Sequence, residues 1–82
     1  MSIKRLGKVL HLSKSGRLVL RSQDRARLGA KVVDQDLKVV GTVFDVFGPV
    51  KNPYISVKAN VSSPARLVGR LLYVEEAVER RR

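Results

Sequence analysis

The chain has 82 residues, no cysteine, and 17 Lys+Arg against 7 Asp+Glu, a formal charge of +10. That length makes one small domain with a thin core, and the missing thiols exclude disulfides and thiolate metal sites. Such a charge favours nucleic acid or an acidic protein surface, while no apolar run reaches the length of a membrane span. The expectation is a soluble cytoplasmic module that does not engage a membrane.

Residues 3–12 read IKRLGKVLHL. Leu6, Leu10 and Leu12 share one parity, interrupted by Lys8, which predicts a strand with one buried face. Ser13-Lys14-Ser15-Gly16 is turn chemistry, and Arg17-Leu18-Val19-Leu20-Arg21 is a second strand that completes a hairpin. Residues 22–30 are rich in charged and amide side chains and read as a surface loop. Lys31-Val32-Val33 is a short third strand, ended by a turn at Asp34-Gln35-Asp36.

The fourth strand, Leu37 to Phe47, is the longest. Alternation puts Val40, Phe44 and Val46 on one face and Val39, Val43 and Phe47 on the other. Neither face is polar, so the strand is expected to be central and partly covered on both sides. Gly41 points to a close backbone approach, or to a bulge at a barrel corner. Tyr54 to Ala59 alternates cleanly, with Ile55, Val57 and Ala59 facing one way, and makes a fifth strand antiparallel to the fourth. Ser63-Pro64 starts at most one helical turn before Gly69, and Arg70 to Val74 is the sixth strand. Glu75 to Arg82 alternates acid and base and reads as a frayed helix or a tail. Six short strands without a long amphipathic helix predict an all-β fold, a small six-stranded antiparallel barrel over 1–74 with a charged tail over 75–82.

Between the fourth and fifth strands lies Phe47-Gly48-Pro49-Val50-Lys51-Asn52-Pro53-Tyr54. Two prolines and a glycine stiffen this bend, so little entropy is lost when something docks on it. It also carries Phe47, Val50 and Tyr54, larger apolar groups than a turn requires. One reading is a preformed apolar surface for a partner protein. The other is a stiff hairpin that only closes the barrel.

Groups for catalysis are sparse. The one histidine, His11, lies within a strand without an evident carboxylate neighbour. Asp34 and Asp36 have a ligand-like spacing but sit where aspartate caps turns, and Asp45 reads as an acceptor for nearby backbone or basic groups. Phosphate-binding glycine motifs are absent. No catalytic residue, metal or cofactor is expected. A basic barrel that binds RNA directly is the alternative to a protein-binding one. Against it, Phe44 and Phe47 fall on opposite parities, and the basic residues are scattered rather than set beside the four aromatics.

The stretch Val43-Phe44-Asp45-Val46-Phe47-Gly48-Pro49-Val50, followed by Pro53-Tyr54-Ile55, closely resembles the signature of the glycine-arginine-rich-domain subunit of H/ACA ribonucleoproteins, in its archaeal form. The resemblance extends to Lys4–Leu12, Val32-Val33-Asp34, Val40-Gly41, Gly69 and Leu72-Tyr73-Val74. The Gly/Arg-rich tails of the eukaryotic members are missing, and Arg80 to Arg82 are a poor echo of them. The resemblance implies a six-stranded barrel of the translation-factor (reductase/isomerase/elongation factor) type. It implies a non-catalytic subunit that binds the catalytic domain of a pseudouridine synthase and helps it capture substrate, position a mobile loop and release product in rRNA pseudouridylation. Contact with the guide RNA is implied to be indirect. Phe47, Gly48, Pro49, Val50, Pro53 and Tyr54 match the family motif and are the expected partner contacts, with Val43 and Ile55 as secondary ones. Left bare, such a corner is expected to favour self-association. A eukaryotic source would imply the nucleolus, an archaeal one the cytoplasm.

Overall fold

The computed structural model describes residues 2–22 and 26–76. Its elements are β1 (Ser2–Leu12), β2 (Arg17–Arg21), β3 (Lys31–Val33), β4 (Val39–Phe47), β5 (Tyr54–Ala59), a single 3₁₀ turn (Pro64–Leu67) and β6 (Leu71–Glu76). They close into a barrel in the order β1-β2-β5-β4-β3-β6, every neighbouring pair antiparallel. Closure pairs every strand on both sides, which leaves no sheet edge for another chain to extend.

The β1–β2 hairpin turns at Ser13, whose N–H donates to the Arg17 carbonyl and whose hydroxyl accepts from the Arg17 N–H. Gly16 takes the left-handed conformation (φ 85°) that this turn needs. Asp34 shapes the β3–β4 turn, its Oδ1 accepting from the N–H groups of Asp36 (2.8 Å) and Lys38 (3.0 Å). That carboxylate is taken up by backbone. Leu37, expected in the strand, instead sits in this turn with φ 63° and an exposed side chain, so β4 begins at Val39. β6 runs two residues past Val74, because Glu75 and Glu76 pair with Ile3 and Ser2 across to β1. The rest of the expected tail, 77–82, lies outside the described residues.

The interior is aliphatic. Leu6, Val9, Leu18, Leu20, Val32, Val40, Val43, Ile55, Val57, Leu72 and Val74 form the buried cluster. None of the four aromatic residues belongs to it. A barrel of so few strands is narrow, and branched aliphatic side chains fill it.

Simple alternation fails on the two long strands. β1 and β4 each pair first with one neighbour and then with another, and each carries two extra residues relative to its partners. The additions fall at Leu6 and Leu10 in β1 and at Val40 and Phe44 in β4. A bulge adds one residue, bends the strand and flips the facing of everything beyond it. Consequently Val9 is buried and Leu10 exposed, the reverse of the parity expectation. In β4 the inward residues are Val40, Val43 and the partly buried Val46, while Phe44 and Phe47 are both exposed.

Two glycines permit the tight curvature. A Cβ on Gly41 would collide with the Lys58 carbonyl oxygen, and one on Gly7 (φ 152°) with the Arg21 carbonyl oxygen. Gly41→Ala is therefore expected to cost about 2 kcal/mol or more, because backbone must move to admit the methyl group. Gly16→Ala, where nothing lies within 4 Å of the added carbon, is expected to cost only about 1 kcal/mol of conformational strain. Urea denaturation of the two variants checks the difference.

Candidate functional site

The corner between β4 and β5 is built on Tyr54. Phe47 and Tyr54 are directly paired across the strands, and their rings stack at 5.7 Å between centroids with 23° between planes. Gly48 then turns the chain over the tyrosine with φ 91°. A Cβ at Gly48 would lie 2.9 Å from Tyr54 Cδ2, so the turn needs glycine for space as well as for conformation. On the other side of Tyr54, Arg21 is its cross-strand partner and holds its guanidinium carbon 5.2 Å from the ring centroid.

The segment then returns to the barrel at Pro53. This proline is buried, and its carbonyl accepts from the Ser22 N–H at 3.0 Å. Between the two anchor points Pro49, Val50, Lys51 and Asn52 face outward. Val50 is 76% exposed, the most exposed large apolar side chain among the described residues.

The eight expected contact residues thus divide. Phe47, Gly48, Pro49 and Val50 are exposed and contiguous, and Tyr54 braces them while half-buried. Val43 and Ile55 have their side chains in the core, and Pro53 is buried beneath the corner. Those three hold the surface up rather than form it. The bulge at Val40 is the reason for Val43, and the inward parity of β5 is the reason for Ile55.

The same outer face carries a second ring that alternation had placed elsewhere. Phe44 is 48% exposed, and the Arg17 guanidinium carbon sits 3.8 Å from its centroid. Arg17 also donates from Nη1 to Ser15 Oγ at 3.0 Å. Its Nε is buried without a hydrogen-bond partner, so the ring face supplies the compensating attraction. Sequence reasoning passed over Arg17 and Arg21. The signal was there in the outward parity of β2, Arg17-x-Val19-x-Arg21, which register sets opposite Lys58, Ser56 and Tyr54.

Nothing at the corner resembles a reaction centre. Asp45 is exposed and accepts from the N–H of Val46 at 2.9 Å. His11 is exposed on β1 opposite Val19. Among the described residues no three His, Asp or Glu side chains gather as a metal site, and no helix is long and apolar enough to cross a membrane.

Fold and site together define a small closed antiparallel barrel whose distinctive feature is a braced, exposed apolar corner. The sequence pattern of the family described as the Gar1/Naf1 RNA binding region matches residues 3–81, and the chain belongs to that family. An uncharacterized protein of Methanothermobacter thermautotrophicus is 43% identical over 76 residues, covering 88% of this chain and 83% of its own length. An uncharacterized protein of Methanocaldococcus jannaschii is 37% identical over 49 residues, 60% of this chain and 59% of that one. The solved Gar1 domain of Naf1 superposes with a TM-score of 0.72 over 89% of this chain and 81% of its own, at 18% identity, which establishes a common fold.

Removing an exposed contact should leave the barrel intact. Val50→Ala is expected to change unfolding free energy by less than about 0.5 kcal/mol. Gly48→Val is expected to cost more than about 1 kcal/mol and to displace the Tyr54 ring, visible as shifted Tyr54 and Phe47 ring resonances in NMR spectra.

Proposed function

We propose that this protein is a non-catalytic subunit of an H/ACA-type, RNA-guided pseudouridine synthase complex in the cytoplasm of an archaeal cell. In this reading it docks on the catalytic domain of the synthase through the β4–β5 corner. The observation that carries the reading is the contrast between exposure and bracing at that corner. Phe47 and Val50 present apolar surface to solvent, while Gly48, the Tyr54 ring and the buried Pro53 hold the backbone beneath them. A surface ordered before contact loses little entropy on binding, so more of the buried apolar area appears as affinity. Membership of the Gar1/Naf1 family supports a ribonucleoprotein setting.

The mechanism follows from a braced docking surface with no gathered reactive groups among the described residues. A subunit of this kind acts on the synthase by binding one arrangement of it more tightly than another. Holding a mobile synthase loop in its substrate-bound position would speed substrate capture, and letting it change position would speed product release. The choice of uridine would remain with the guide RNA.

The test is association of the two purified proteins after nuclease treatment. Phe47→Ala and Val50→Asp are each expected to weaken binding by about 2 kcal/mol, or roughly thirtyfold, measured by titration calorimetry. Lys14→Ala, a change in the remote β1–β2 turn, should leave it unaltered. Full affinity in both corner variants would place the interface elsewhere.

A further inference from the structure

A second exposed apolar surface lies at the opposite end of β4 from the corner. An open groove of about 430 Å³ runs between the start of β4, the β3–β4 turn and the 3₁₀ turn before β6. Val39 and Val61 give it apolar surface, and Lys38, Arg66 and Arg70 give it three positive charges. Both valines and all three cations are exposed. Asp34 is the one acid among the lining residues, and its Oδ1 is taken up by the N–H groups of its own turn.

Leu37 stands in the same turn, and burial does not account for it. Its φ of 63° is a left-handed conformation that a β-carbon penalises and that glycine adopts freely. Its side chain is 62% exposed, so packing returns little of that strain. An exposed leucine held in strained backbone points to a contact outside the fold.

We propose that this groove docks a segment of a partner protein in which carboxylates are interspersed with aliphatic side chains. Every strand of the barrel is already paired on both sides, so a partner cannot add a strand and is held by side chains. Cations around an apolar strip select carboxylates, and the strip itself selects aliphatic groups. A polyphosphate chain would use the cations but not the valines. A second copy of this chain would bring its own charge of +10 against them. β4 is nine residues long, which sets the groove about 25 Å from the corner. The groove therefore stays open when the corner is covered, and the proposal does not rest on the synthase reading.

The test uses the full chain and a fluorescein-labelled peptide of Glu-Glu-Leu repeats, titrated by anisotropy. A Glu-Glu-Ser peptide of the same length and charge is the comparison. The leucine peptide is expected to bind about tenfold more tightly, because only it can bury aliphatic groups. Val39→Thr/Val61→Thr should bring the two peptides within about twofold of each other. Arg66→Gln/Arg70→Gln should weaken both peptides about tenfold. Arg5→Gln/Lys31→Gln, the same charge change outside the groove, should weaken them by no more than about twofold. Leu37→Gly should weaken the leucine peptide about threefold and leave the urea midpoint unchanged or higher. Amide dispersion in NMR spectra verifies that the variants remain folded. Equal affinity of the two peptides for the parent chain would mean charge alone and would overturn the proposal. So would equal weakening in the two charge variants, or a lowered urea midpoint in Leu37→Gly. Unlabelled oligouridylate that displaces the leucine peptide as well as unlabelled peptide does would overturn it too. A dimer of the chain, seen by sedimentation and dissolved by Val39→Thr/Val61→Thr, would assign the groove to a second copy instead. None of these measurements includes the synthase, so each bears on the groove alone.

Discussion

The structure depends on closing a barrel with only six strands. Both long strands must serve two neighbours, and a flat strand cannot do that. The bulges at Leu6, Leu10, Val40 and Phe44 supply the bend. The glycines at 7 and 41 let neighbouring carbonyls come closer than any side chain would allow. Between them these features set the barrel's diameter, and with it the size of side chain that fits inside.

The exposed aromatic surface is a consequence of that narrow interior. Leucine, valine and isoleucine fill the core, and the rings of Phe44 and Phe47 are left outside. Exposed rings on a small basic protein need support. Arg17 covers Phe44, Tyr54 stacks on Phe47, and Arg21 approaches Tyr54 from its other side. Each cation–ring contact contributes about 0.5–1 kcal/mol at an exposed site, enough to hold a side chain in one place. The corner is thus ordered from below by buried Pro53 and from the side by ring stacking, with the apolar tip at Val50 left free.

Much was legible along the chain. The types of the residues and the placement of Gly, Pro and Asp located all six strands to within about two residues at each end, the capping role of Asp34 and the close approach at Gly41. The motif from Val43 to Ile55 identified the family that the comparison with known sequences established. Local chemistry decides such features, because turns and strands are chosen by backbone freedom and side-chain shape over a few residues. Facing was another matter. A bulge leaves no mark in composition, yet one extra residue reverses every side chain after it, so Val9 and Val43 went inward and Leu10 and Phe44 outward only once partners were known. The groove at the start of β4 was equally hidden, since Lys38 and Val39 meet Val61, Arg66 and Arg70 through packing rather than through sequence spacing. What the amino-acid order determined by itself was where the chain bends and what kind of barrel it makes. What the tertiary structure alone decided was which side of each strand meets water, because register between strands distant in sequence is set only when the barrel closes.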